Sequence, residues 1–148
     1  MEFIDTHSHI YDTAFDEDRQ EVIKRCKVAG LCSLVLPAID MSTYDAQMDA
    51  LSSMEGYAFG AMGLHPTSVG ANWRKELDFA VGRIEDGFWC AIGEVGLDTY
   101  WSSEFINEQL EVLKVQLKGA IILMKKFLQN KINLLTKKKI IIYKKKEY

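Results

Sequence analysis

Histidine is scarce in this chain of 148 residues: there are three, and none follows His65. Cysteine is scarce too. Cys26, Cys32 and Cys90 are odd in number and fit neither a zinc-knuckle spacing nor a Cys-x-x-Cys pair, so buried free thiols in a reducing compartment are the expectation. No apolar run reaches membrane-spanning length, and the first residues carry neither a basic nor a long apolar stretch of the signal-peptide kind. The expected location is the cytoplasm, with no membrane partner. Residues 119–148 lack Asp, Pro, Ser, Val, His and Arg altogether.

The net charge of −3 conceals a split. Residues 1–118 hold 9 Lys+Arg against 20 Asp+Glu, a net of −11, whereas 119–148 hold 9 Lys and one Glu, a net of +8. In that tail 24 residues are Lys, Ile, Leu, Asn, Tyr or Phe, and two Lys triplets (137–139 and 144–146) flank Ile140-Ile141-Ile142-Tyr143. These residue types share A/T-rich codons, so the tail reads as translated out of frame. The rival reading is a basic arm that contacts nucleic acid. Lys runs alternating with β-branched blocks favour the first, and such a segment is prone to aggregate. The expected division is a body over 1–118 and an atypical tail over 119–148. The acidic body argues against a broad phosphate-tracking groove.

Apolar strand-like runs begin near Phe3, Leu31, Tyr57 and Phe88, separated by 28, 26 and 31 residues. Helical spacing lies between them. Val22, Cys26 and Ala29 share one face of a helix that stops at Gly30. Ser42 is the expected cap of a second helix running toward Met54. Asn72 is the expected cap of a third, whose stripe is Trp73, Leu77, Ala80 and Ile84. A fourth starts near Ser103, with Ile106, Leu110, Leu113 and Leu117 as its apolar row. The order βαβαβαβα implies a parallel sheet covered by helices. Polar candidates follow the first, third and fourth strands, which favours part of a TIM (β/α)8 barrel over a doubly wound sheet. A whole barrel takes eight such units and about 250 residues; this chain supplies four.

His7 and His9 end the first strand at i, i+2, a spacing that places both imidazoles on one face of an extended chain, where they either share a divalent cation or are simply polar residues of a strand-to-helix loop. Asp5, on that face, is either a partner near the metal or a structural hydrogen-bond acceptor. Glu94 follows the fourth strand, and it is either a solvated residue in a Gly-rich turn, which spacing alone favours, or a carboxylate that binds one ion or bridges two. Gly93 and Gly96 beside it suggest close backbone approach. His65, before Pro66, either meets a phosphate or caps a loop. Asp98 orients a ligand or, more simply, stabilises a turn. Trp73 and Trp89 read as core residues, while Tyr100 and Trp101 fall in a loop where base stacking is open.

FIDTHSHIYD (3–12), AMGLHPTSV (61–69) and AIGEVGLDTYW (91–101) together resemble the TatD family of metal-dependent hydrolases, and EFINEQLEVLKVQL (104–117) resembles the family's helix after the fourth strand. The likeness covers residues 1–118 and implies the N-terminal half of an amidohydrolase-like TIM barrel. It implies one or two divalent metal ions (Mg, Mn or Zn) and phosphodiester hydrolysis in DNA, at a single strand or a 3′ end, with no protein partner. By resemblance His7 and His9 match the metal-binding His-x-His, Glu94 the metal-binding carboxylate and His65 the histidine near the substrate phosphate. The family also draws two further histidines and a catalytic aspartate from later strands, and no histidine here follows His65. The expectation is therefore a truncated deoxyribonuclease-type hydrolase, weakly active or inactive. The alternatives are a non-enzymatic barrel remnant and a metallohydrolase of the same superfold acting on an ester, amide or lactone.

Overall fold

A computed structural model describes residues 1–85 and 89–144, with side chains described through Lys125 and at Leu128. The expected strand start at Phe88 lies outside the described residues. Four strands, β1 (Phe3–Asp5), β2 (Leu31–Pro37), β3 (Ala58–Met62) and β4 (Ala91–Ile92), form one parallel sheet in the order β1-β2-β3-β4. The helices α1 (Arg19–Ala29), α2 (Tyr44–Ser53), α3 (Trp73–Glu85) and α4 (Ile106–Lys144) alternate with them. Parallel neighbours need such crossovers because a tight turn can only reverse the chain. The result is the half-barrel of an α/β fold. No helix among the described residues is long and apolar enough to cross a membrane.

The core lies between sheet and helices. Leu36, Met62 and Leu64 are essentially inaccessible, and Leu34, Leu51 and Ile23 join them. Helix α3 follows its expected stripe: Trp73, Leu77, Ala80 and Ile84 are its buried residues. Helix α1 ends at Gly30, whose φ of 100° closes the helix in the left-handed region that only glycine adopts freely. Asn72 opens α3 through its carbonyl, which accepts from Lys75 and Glu76 N–H, while its side-chain amide donates to Glu76 Oε1.

Two helix expectations need correction. The second helix is entered through a 3-10 turn, Met41–Thr43, capped by Asp40 and not by Ser42. Asp40 Oδ1 accepts from Ser42 and Thr43 N–H and from the Ser42 hydroxyl, and Oδ2 accepts from the Ser68 hydroxyl. A carboxylate takes all four donors, whereas a serine hydroxyl cannot. Burial works to raise the Asp40 carboxyl, but these hydrogen bonds outweigh it and hold it below its ordinary value.

On α4 the buried residues are Gln109, Val112 and Gln116, while Leu110 and Leu117 of the expected leucine row are exposed. The helix turns inward the face that can hydrogen-bond, because Gln116 and Gln109 there meet backbone groups of Leu64 and Asp98. Its backbone runs without a break past residue 118, and Gly119 lies against Ile84 of α3. The thiols also depart from expectation: Cys26, Cys32 and Cys90 are free, but Cys32 and Cys90 are exposed. Those two stand near the N-terminal ends of β2 and β4, and Cys32 Sγ donates to the Phe3 carbonyl.

Asp40→Ala is expected to lower stability by about 1 kcal/mol, the usual worth of a cap, and Ser42→Ala by less, as read by urea denaturation. A depressed carboxyl stabilises above its unfolded value and loses that contribution as pH falls through the folded one. The gap between wild type and Asp40→Ala should therefore narrow below pH 3.8.

Candidate metal centre

The polar groups at the C-terminal ends of the strands determine where the site sits. Ala38, just past β2, donates to the carbonyls of Ala61 and Gly93 and accepts from Glu94 N–H at 3.1 Å. The end of β2 is thus tied directly to the residues after β4, and the sheet curls at this end. His65 N–H donates to the Ile39 carbonyl at 2.8 Å. Gln116 of α4 serves the same end: its Oε1 accepts from Leu64 N–H at 2.6 Å and its Nε2 donates to the Leu64 carbonyl at 3.2 Å. A side chain added at Gly63 would come within 3.0 Å of Gln116 Oε1 and of the Gly93 and Glu94 backbone. Close approach therefore requires glycine at 63. At Gly93 and Gly96, where it was expected, a Cβ would meet nothing nearer than 3.9 Å.

His7 and His9 lie in the loop after β1 and not on the strand, which ends at Asp5. Asp5 turns the chain there, its Oδ1 accepting from His7 N–H at 3.0 Å. The rings nevertheless converge. His7 Nε2 is 3.2 Å from His9 Nε2 and 3.0 Å from Glu94 Oε2, and His9 Nε2 is 3.6 Å from Glu94 Oε2. Two lone pairs so close repel each other unless a proton or a cation lies between them. Ligands about 2.0–2.1 Å from a tetrahedral metal stand about 3.3 Å apart, which this triangle matches. His7, His9 and Glu94 therefore fit a divalent ion by donor chemistry and spacing.

The hydrogen-bond partners set the tautomers. Tyr11 Oη donates to the Pro37 carbonyl at 2.5 Å, which uses its one proton. Burial, then the charges of Asp40, Glu94 and Asp12, raise the Tyr11 phenol, so it stays protonated. The ring nitrogen 2.7 Å away must then be the donor: His9 Nδ1–H gives to Tyr11, and the lone pair of Nε2 faces His7 and Glu94. Burial, then the nearby His7, lower the His9 imidazole, against the pull of Glu94. A neutral His9 is the ligand form.

His65 carries the opposite tautomer. Thr67 N–H donates to His65 Nδ1 at 3.1 Å, and Thr67 Oγ1 lies 2.6 Å from the same nitrogen. The proton is therefore on Nε2, which donates to Glu94 Oε1 at 3.1 Å. His65 thus caps the turn Pro66–Ser68 and orients the carboxylate that faces His7 and His9. Asp98 stands apart as a turn residue, with Oδ1 accepting from Tyr100 N–H at 2.9 Å. Gln109 holds that loop by bonding both the N–H and the carbonyl of Asp98. Trp73 and Trp89 are buried, and Tyr100 and Trp101 are exposed.

Sequence reasoning missed Tyr11 and Gln116. Tyr11 continues the i, i+2 series of His7 and His9. Gln116 shares a helix face with Gln109 and Val112, a pattern hidden by the more apolar leucine row.

The family model described as TatD related DNase matches residues 4–128. The uncharacterized metal-dependent hydrolase YabD of Bacillus subtilis is 30% identical over 119 residues, covering 76% of this chain and 44% of that protein. The 3'-5' ssDNA/RNA exonuclease TatD of Erwinia billingiae is 28% identical over 113 residues, 76% of this chain and 43% of that one. The crystal structure of YjjV, a TatD homolog from Escherichia coli, superposes with a TM-score of 0.69 at 29% identity, covering 80% of this chain and 46% of that chain. The chain spans less than half the length of these relatives.

Tyr11→Phe frees the His9 tautomer, and zinc affinity measured by calorimetric titration is expected to fall about 10-fold with the circular dichroism unchanged. Gln116→Leu leaves the Leu64 N–H and carbonyl buried without partners, and denaturation is expected to show a loss of about 2 kcal/mol.

Proposed function

The chain belongs to the TatD related DNase family, and from that premise we propose that its site holds a divalent cation and serves phosphodiester hydrolysis at the ends of single-stranded DNA. The convergence of His7, His9 and Glu94, with all donor atoms within 4.8 Å of one another, carries the reading. The names of the relatives, a metal-dependent hydrolase and an exonuclease on single-stranded DNA and RNA, support it.

When bound, the cation supplies Lewis acidity and a water acidic enough to attack phosphorus near neutral pH. His9 is held as a ligand by Tyr11, and Glu94 is held by the backbone bond to Ala38 and by His65. The Nε2–H of His65 is the donor beside the site that can turn to a phosphate oxygen, which would also uncover Glu94 Oε1 for a second ion. Magnesium, manganese and zinc are the candidate ions. The setting is cytoplasmic, in keeping with the free thiols. The body 1–118 carries the site, and the segment 119–148, into which the family match reaches as far as residue 128, is an atypical Lys/Ile-rich tail. Turnover by this chain is weak, because one three-donor group serves the site among the described residues. Two-ion hydrolysis needs donors for both ions.

Titration with manganese or zinc is expected to show one ion per chain, abolished by His7→Ala and by Glu94→Gln. Slow nucleotide release from an end-labelled single-stranded oligonucleotide should stop with chelator and with either variant. Undiminished ion uptake by the double variant, or cleavage indifferent to chelator, would overturn the proposal.

A further inference from the structure

The loop between β4 and α4 builds a second feature beside this site, a cavity of about 380 Å3. Pro66, Val69, Trp101 and Phe105 form its apolar walls, and Thr67 and Asp98 line it as well. This is within the size range of small-molecule sites. It is joined to the candidate metal centre by a short relay: Thr67 bonds His65 Nδ1, and His65 Nε2 bonds Glu94. A group resting in the cavity would be one hydrogen-bonded residue from the histidine that faces the carboxylate.

Three observations select the kind of group. Trp101 is 78% exposed and Tyr100 82%, whereas Trp73 and Trp89 are 8% and 6% exposed. The rings of Tyr100 and Trp101 brace each other edge to face, centroids 4.8 Å apart and planes at 89°. That leaves open π surface at the rim of a cleft whose lining mixes apolar residues with polar and acidic ones. Among the described residues no Lys, Arg or His lines the cavity, while Asp98 and Glu104 do. A phosphate is repelled there, and a neutral planar group is not. A nucleobase meets all three conditions, since bases stack on aromatic side chains whatever their identity.

We propose that this cavity receives a nucleobase of a single-stranded nucleic acid, stacked on Trp101, while the attached phosphate lies toward His65 and Glu94. The proposal rests on the hydrolase reading of the metal centre, deepens it by adding a base subsite, and makes Trp101 a substrate-binding residue.

The exposed Trp101 gives a selective readout, because the other two tryptophans are shielded. The full chain is titrated with a short cytidine oligodeoxynucleotide and with an abasic oligomer of equal length and charge, with and without manganese. The cytidine oligomer is expected to quench the exposed tryptophan emission, and the abasic one to leave it unchanged. Trp101→Ala, followed by fluorescence anisotropy of a labelled oligomer, should bind about 10-fold more weakly, and Trp101→Phe should stay within about 3-fold of wild type. Equal response to both oligomers, or equal binding by Trp101→Ala, would overturn the base subsite while leaving chelator-sensitive cleavage intact. Quenching by the cytidine oligomer without any metal-dependent cleavage would uphold the subsite and sink the hydrolase reading instead. A shift of tryptophan emission with protein concentration alone, with no response to either oligomer, would assign the cleft to a second copy of the chain and also overturn the subsite.

Discussion

Where a parallel sheet stops, its last amides and carbonyls lose their neighbours, and the strand ends of this fold depend on side-chain amides to replace them. Gln47 of α2 donates to the carbonyls of Leu36 and Ala61, and Gln116 of α4 clamps both backbone groups of Leu64. Gln109 does the same for Asp98. Each is buried, and each carries both a donor and an acceptor, which a leucine cannot offer. A buried backbone group without a partner costs free energy comparable to a lost hydrogen bond, so these glutamines fix the loops on which His65 and Glu94 stand. Gln47 Oε1 is itself left without a partner among the described residues.

The chemistry of the site follows from how its protons are parked. Tyr11 gives its proton to Pro37 and so receives one from His9. Thr67 gives one to His65, which passes its own toward Glu94. These two relays run in opposite senses along the two rings, so one imidazole presents a lone pair to the centre and the other an N–H. Both meet at Glu94, one carboxylate oxygen turned to the candidate ligands and the other to His65.

Much of this was legible in the residues themselves. The alternation of strands and helices and the stripe Trp73-Leu77-Ala80-Ile84 each follow from a local pattern of periodicity and spacing, whereas the grouping of His7, His9 and Glu94 was expected from the family resemblance and not from spacing alone. What escaped depends on long-range partners. Asp40 caps the 3-10 turn before α2 in place of Ser42 because Ser68, 28 residues away, adds a donor. The inward face of α4 is set by the needs of Leu64 and Asp98, which no periodicity within α4 records. His65 was expected near a phosphate or in a cap; its bond to Glu94 spans 29 residues and has no local signature.

The contact of Ala38 with Gly93 and Glu94 carries one more consequence. In a flat sheet, strands two places apart lie about 9.5 Å from each other, and those three places apart about 14 Å. Here the residues past β2 and β4 share backbone hydrogen bonds, and the side chains of His7 and Glu94, in the loops after β1 and β4, reach to 3.0 Å of each other. A cation seated among those donors would act as a drawstring on the mouth of the trough. Affinity for the ion and resistance to flattening then become the same quantity viewed from two sides.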